Sequence, residues 1–193
     1  MTRYILHGGR TGIPNQNNKA FYQEWVKDFK SDFTPNILLV YFSRAIEEWE
    51  KLKNQDWERL EKHTNGRLFK ITVADMDKNV FIEQVKAADV IYARGGENLD
   101  NLIAVLESVK NELLPALNNK IFAGSSAGVM ALSHFTRSDT TDWEEGLGLL
   151  PINSFVHYSE AWKDNLDKFR NDHLQNKLEY LLIPETEFIV KEY

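Results

Sequence analysis

Apolar residues in this chain gather into short runs separated by longer stretches with helical spacing. The runs, at residues 4–6, 37–42, 68–73, 90–93 and 121–123, are rich in strand-forming side chains, and each gives way to glycine, charge or turn residues. Between them, residues 17–29, 46–63, 80–88 and 99–109 carry amphipathic spacing. It is clearest where Leu99, Leu102, Ile103 and Leu106 follow i, i+3, i+4 and i+7. Strands that read as continuous apolar runs are buried on both faces, and alternation with helices implies crossover connections and parallel pairing. The pattern predicts an α/β fold: three layers, with an open, mostly parallel sheet and helices on both faces, in a single domain over residues 1–193.

Beyond residue 132 the pattern is less regular. It predicts a loop at 138–142, a turn at 146–151, a short strand at 155–158 and a polar helix from 163 to 177. A final hairpin is expected from strands at 180–183 and 188–190 around Pro184-Glu185-Thr186. No repeat, low-complexity tract or linker interrupts the chain. In open sheets of this kind ligands gather beyond the carboxyl ends of the strands. That edge collects Gly8-Gly9, Ser43-Arg44, Asp75, the segment from Arg94 to Glu97, and the break after residue 123.

At that break the apolar strand reaches Gly124-Ser125-Ser126-Ala127-Gly128 and resumes as a helix. This is the G-x-S-x-G pattern of a nucleophile elbow, in which glycines permit a sharp turn and the middle serine, Ser126, is held in strained geometry at the mouth of the sheet. The amide of Ala127 then faces the same space and offers one donor to a developing oxyanion. Serine alone is a weak nucleophile and needs a base. Of the five histidines, His157 fits best, on a short strand downstream of the serine. Imidazole can take the serine proton and return it to a leaving amine. His134 follows the elbow helix and is expected to face away, His7 sits beside Gly8-Gly9 and is placed to line the cleft, and His63 and His173 read as exposed helix residues.

A third group should fix the histidine tautomer. Asp139, Asp142, Glu144 and Glu145 all lie between serine and histidine, and Asp142 is the preferred choice. Gly95-Gly96 ends the fourth strand and precedes the Leu99 helix. Its amides are placed to complete the oxyanion hole, and a glycine turn there also serves the backbone.

Composition narrows the chemistry further. With 29 acidic and 23 basic residues the net charge is -6 over 193 residues, which repels phosphate backbones and anionic membrane surfaces. Neither nucleic acid nor membrane is an expected partner. The absence of cysteine removes disulfides, thiolate metal sites and a cysteine nucleophile, leaving oxygen chemistry. The glycine-rich stretch from Gly8 to Gly12 lacks G-x-G-x-x-G spacing and a phosphate-loop lysine, and no H-E-x-x-H occurs, so neither a nucleotide, a metal nor another cofactor is expected. The N-terminus lacks the pattern of a secretory signal, so a cytoplasmic location is expected.

These residues resemble the peptidase E and cyanophycinase group of serine peptidases, built on the class I glutamine amidotransferase-like fold. The likeness runs in order through Arg94-Gly95-Gly96-Glu97-Asn98, the Ser126 elbow, the segment from Gly146 to Pro151, and His157-Tyr158, which begins 31 positions after the serine. The resemblance implies Ser126 as nucleophile, His157 as base, oxyanion donors from Ala127 and the Gly95-Gly96 turn, and an acid at Asp142, because Thr140-Thr141-Asp142 is similar to the threonine pair and acid of peptidase E. Activity on small peptides, including those with an N-terminal aspartate, follows from the same resemblance.

The chain also departs from the group's pattern. Arg94 and Glu97 replace residues usual there, as does Val156 before the histidine, and they alter the substrate side of the cleft. Arg94 is a candidate for binding a substrate carboxylate and Glu97 for pairing with a free amine, or the two neutralise each other. The expected partner is a small peptide substrate, with a homodimer left open. Two rival readings remain at this point: an α/β-hydrolase-type esterase, which shares the elbow and the order of its triad, and a non-catalytic protein that kept the cleft as a binding site.

Overall fold

The fold is described from a computed structural model covering residues 1–173 and 177–193. The chain runs through β1 (Arg3–His7), α1 (Gln16–Glu24), β2 (Asn36–Val40), α2 (Trp49–His63), β3 (Lys70–Val73), α3 (Lys78–Ala87), β4 (Val90–Ala93), α4 (Leu99–Ser108) and α5 (Lys110–Ala116). It continues with β5 (Ile121–Ser125), α6 (Ala127–Met130), β6 (Phe135–Arg137), β7 (Glu144–Glu145), β8 (Ile152–Val156), α7 (Lys163–Asp172), β9 (Glu179–Ile183) and β10 (Phe188–Glu192). A six-stranded sheet has the order β10-β1-β5-β4-β2-β3, parallel throughout except where β10 runs antiparallel to β1. A second sheet, β7-β6-β8-β9, pairs β6, β8 and β9 in parallel and adds β7 antiparallel.

The two faces of the large sheet can be read from alternate residues of its strands. Ile5, Ile37, Leu39, Tyr92 and Ala123 pack with Phe21, Tyr22 and Trp25 of α1 and with Leu52 and Leu60 of α2. Leu6, Leu38, Val40, Ile91 and Phe122 pack instead with Phe81 and Val85 of α3, Leu102 and Leu106 of α4, Leu113 of α5 and Val129 of α6. Helices therefore cover both faces, as the doubly apolar strands require. Local signals set the helix starts. The side chain of Asp77 accepts the amides of Asn79 and Val80 at α3, and Asn98 accepts that of Asn101 at α4, each satisfying donors that have no partner within the helix.

Several elements differ from the sequence-based expectation. The apolar run at 68–73 shortens to β3, an edge strand with Leu68 exposed in front of it. Helix α5 follows α4 after a break at Val109 and carries Pro115 inside it. The helix after the elbow is a single turn, and the helix expected to reach 177 closes at Asp172, with 174–176 outside the described residues. The expected C-terminal hairpin does not form: β9 pairs with β8 in one sheet and β10 with β1 in the other. The end of β1 lies between them. Gly8 donates its amide to the Glu187 carbonyl at 2.9 Å and its own carbonyl accepts the His157 amide at 3.0 Å. The connection around Pro184-Glu185-Thr186 thus becomes a bridge between sheets, with Thr186 at φ 63°.

Candidate active site

The carboxyl ends of β1, β2, β4 and β5 meet at one edge, as expected for a parallel sheet. Ser126 follows β5 directly and sits at φ 48°, ψ -114°, a conformation rarely adopted by a side-chain-bearing residue and costing roughly 1–3 kcal/mol. Its amide donates to the His7 carbonyl at 3.0 Å, and its carbonyl accepts the amides of Val129 and Met130. One glycine of the elbow is required by close approach, since a Cβ on Gly128 would lie 2.1 Å from the Ala93 carbonyl oxygen. The strain is therefore held by hydrogen bonds on both sides of the serine and by packing against β4.

Ser126 Oγ lies 3.0 Å from Nε2 of His157, and Nδ1 of the same ring lies 3.0 Å from Oε1 of Glu185. All three side chains border an open cavity of about 910 Å³. His157 occupies the first position after β8, and Glu185 stands two residues past the end of the neighbouring parallel strand β9, which explains how residues 28 apart converge. Arg10 completes the row, with Nε 2.7 Å from the same Glu185 oxygen.

Asp142, the acid expected from the sequence, is placed elsewhere. Its carboxylate is largely exposed and pairs with Arg137 at 2.5 Å. The short strands β6 and β7 carry the intervening loop away from the imidazole, so an acid between serine and histidine in sequence is not between them in space. Asp139 and Glu144 border the cavity without contacting His157, and Glu145 is exposed on β7. The carboxylate that meets His157 comes after it in the chain. The available signal was the carboxylate just beyond a strand at the sheet's carboxyl edge.

The turn after β4 is pinned from several directions. Ser43 Oγ donates to the Arg94 carbonyl and Arg44 Nε to the Gly95 carbonyl, each at 2.8 Å. The Gly95 amide is engaged with Ser125 Oγ at 3.0 Å, and that hydroxyl is 3.1 Å from the Tyr92 hydroxyl. Of the expected donors, Gly95 is thus turned to Ser125. The amides of Gly96 and Ala127 have no acceptor among the described residues. Because the carbonyl and amide of a trans peptide point in opposite directions, Arg44 on the Gly95 oxygen also sets the direction of the Gly96 N–H.

Arg94 does not present its guanidinium to the cleft. It pairs with the fully buried Asp56 at 2.9 Å and also bonds Gln55 Oε1 and the Leu52 carbonyl. Asp56 in turn accepts from Tyr41 Oη and Arg59. Burial opposes the Arg94 charge, and the Asp56 carboxylate together with the Tyr92 and Tyr22 hydroxyls more than offsets it, so its pKa is raised. Neither a substrate carboxylate nor Glu97 is its partner. Glu97 is exposed on the cavity wall, which Asp100, Asp139, Glu144, Arg10 and Arg44 also line. Among the described residues, no group of three or more His, Cys, Asp or Glu side chains is placed to hold a metal, and no helix is long and apolar enough to cross a membrane.

His7 is fully buried and does not border the cavity. Its Nδ1 accepts the Gly9 amide at 3.0 Å and its Nε2 lies 2.7 Å from Asn18 Oδ1. Burial lowers its pKa to about 4 against the opposing effect of the hydrogen bond it makes to Asn18 Oδ1.

This architecture is shared with known peptidases. A peptidase from an acI-B1 Actinobacterium superposes with a TM-score of 0.68 at 21% identity, over 99% of this chain and 83% of that one. A candidate peptidase E from Listeria monocytogenes EGD-e superposes with a TM-score of 0.61 at 15% identity, over 100% and 99% respectively. At these identities the likeness is one of fold. No curated protein is significantly similar to the chain. The family model of Peptidase family S51 matches residues 5–190, in agreement with the resemblance of the motifs. The chain belongs to peptidase family S51 and is a peptidase.

Proposed function

We propose that the protein hydrolyses small peptides as a serine peptidase through an acyl-enzyme, with Ser126 as nucleophile, His157 as general base and acid, and Glu185 as the group that orients the imidazole. The observation that carries this reading is the unbroken row from Ser126 Oγ to His157 Nε2 and from His157 Nδ1 to Glu185. A carboxylate accepting from Nδ1–H leaves the Nε2 lone pair facing the serine and stabilises the imidazolium that forms. In the first half-reaction Ser126 Oγ bonds to the substrate carbonyl carbon while its proton passes to His157 Nε2. The resulting oxyanion is received by the Gly96 and Ala127 amides. Collapse breaks the C–N bond as His157 returns the proton to the leaving amine. Water then attacks the ester, losing its proton to His157, and Ser126 leaves with that proton as the acid is released.

The cavity supports a short substrate. Its wall carries two arginine side chains, Arg10 and Arg44, and the carboxylates of Glu97, Asp100, Asp139 and Glu144, which suits a small zwitterion with free charges at both ends. A dipeptide with an N-terminal aspartate belongs to this class, and Arg44 rather than Arg94 is the basic group available to its carboxylate. The test is a panel of dipeptides, including aspartyl and isoaspartyl ones, assayed beside Ser126→Ala. Hydrolysis of at least one that vanishes in the variant is the expected result. Hydrolysis that persists in Ser126→Ala, or wild-type protein inert toward the whole panel, would overturn the reading.

A further inference from the structure

Three successive carbonyls at the end of β1 hold the three members of the site. The His7 oxygen accepts the Ser126 amide, the Gly8 oxygen accepts the His157 amide, and the Gly9 oxygen accepts the amide of Thr186, next to Glu185, each at 3.0 Å. Gly9 also lies directly against the base. A Cβ built on it would stand 2.2 Å from Cε1 of His157 and 2.5 Å from Nε2, and its φ of +128° is open essentially to glycine alone. The floor beneath the imidazole is therefore bare backbone, and its height is set by whatever holds Gly9.

The group that holds it is His7. The Gly9 amide needs a lone pair, which Nδ1 supplies, so the ring proton must sit on Nε2 and be received by Asn18 Oδ1. The orientation of the Asn18 amide is fixed independently, because its Nδ2 donates to the carbonyls of Arg10 at 2.9 Å and Ile13 at 2.6 Å. Only the oxygen is left for His7. One side-chain amide thus sets the tautomer of a buried histidine and the course of the loop that carries Arg10 to Glu185. The ring itself packs on Phe21 at 4.6 Å between centroids, closed off from the cavity.

We propose that His7 is a positioning residue for His157: its Nδ1 lone pair holds the Gly9 amide, and through it the backbone on which the imidazole rests at hydrogen-bonding distance from Ser126. The inference rests on the peptidase reading of Ser126 and His157. The tautomer is part of the device, because a proton on Nδ1 would set two N–H groups against each other at 3.0 Å.

The experiment measures the second-order rate at which an aryl fluorophosphonate labels Ser126 in the wild-type protein, His7→Phe and His7→Asn, with kcat and KM for a cleaved dipeptide. Wild-type protein that is not labelled at Ser126 overturns the peptidase reading itself, before any His7 variant is considered. With labelling established, His7→Phe keeps the ring shape without the nitrogens. It is expected to slow labelling and kcat by about 10- to 100-fold, as for a small misplacement of a reacting group, with KM within about twofold because His7 does not border the cavity. His7→Asn, whose Oδ1 can receive the Gly9 amide, is expected to recover about tenfold of that loss. Folded His7→Phe labelled at the wild-type rate overturns the inference, as does equal loss in both variants. Should His7→Phe fail to fold, the ¹⁵N spectrum of the wild-type imidazoles decides. A His7 protonated on Nε2 and bare on Nδ1 from pH 8 to pH 5 is the expected result, and protonation of Nδ1 at neutral pH overturns it.

Discussion

Gly9→Ala is the most direct perturbation of the base. The added methyl would stand 2.2 Å from Cε1 of His157, where ordinary contact begins at 3.4 Å, so loop and ring must separate by about 1.2 Å. The loop has little freedom to give way, because the Gly9 amide, the Gly9 carbonyl and the Gly8 carbonyl are all engaged. The ring, tethered at Nδ1 by Glu185, is the part that moves, and a shift of that size takes Nε2 out of its 3.0 Å contact with Ser126. Misplacement by about 1 Å can cost on the order of 10²-fold, and that is the expected loss in kcat and in fluorophosphonate labelling. Backbone strain at φ +128° adds roughly 1–3 kcal/mol of destabilisation, read as a lower urea midpoint. Gly66→Ala separates the two effects: Gly66 has φ +72° with nothing within 4 Å of an added Cβ, so it is expected to lose stability while keeping activity. Gly9→Ala with kcat within twofold of wild type would refute the reasoning that the imidazole rests on this residue.

Two further outcomes follow from the same geometry. Glu185→Gln can present an N–H to Nδ1 and favour the wrong tautomer, so kcat is expected to fall by about 10²–10⁴-fold, while Asp142→Asn, remote from the ring, stays within about threefold; steady-state kinetics of both variants distinguishes them. The His7 ring, with Asn18, Gly9, Phe21 and the neighbouring His157 around it, has a folded pKa of about 4 against 6.5 when unfolded, so the unfolded chain binds the extra proton first. Stability from this group is complete above about pH 6.5 and is lost as pH falls through 4, by about 3 kcal/mol in all. Urea unfolding across that range should show the slope in the wild-type protein, and His7→Phe should flatten it.

The layers and the strained turn at Ser126 were legible in the sequence because those depend on local pattern. Apolar runs such as 37–42 and 90–93 could be satisfied only by burial on both faces, and Gly124 to Gly128 encodes its own turn. The approach of His157 to Ser126 was legible from its place at a strand end. The carboxylate beside it was not, because Glu185 reaches the ring through the parallel pairing of β8 with β9, a long-range register that no local spacing records. The same limit applies to the C-terminal strands. Their spacing is that of a hairpin, and only the insertion of the β1 end between them sends each to a different sheet. Arg94 shows the converse problem: a charged residue at the mouth of a cleft reads as a ligand group until its buried partner on α2 is known.

That partner also explains how a strained site is tolerated on its oxyanion side. Taking Asp56 and Arg94 out of water is costly, and such a pair is retained without loss only where most of its hydrogen-bonding capacity is filled. Here both Asp56 oxygens are occupied, by Tyr41 on one side and by Arg59 and Arg94 on the other, while Arg94 also reaches Gln55 and the Leu52 carbonyl. The residue so fixed is the one whose carbonyl Ser43 binds, and Arg44 binds the carbonyl of its successor Gly95, so the two peptides leading to the Gly96 amide are each held by their oxygen. The base is held by a separate set, His7 and Asn18 acting through Gly9. The two anchors lie on different elements, α2 with β4 on one side and α1 with β1 on the other, and Ser126 stands where they meet. Side chains supplied by separate turns keep distances near 3.0 Å while those turns are tied to buried polar groups beneath one face of the sheet.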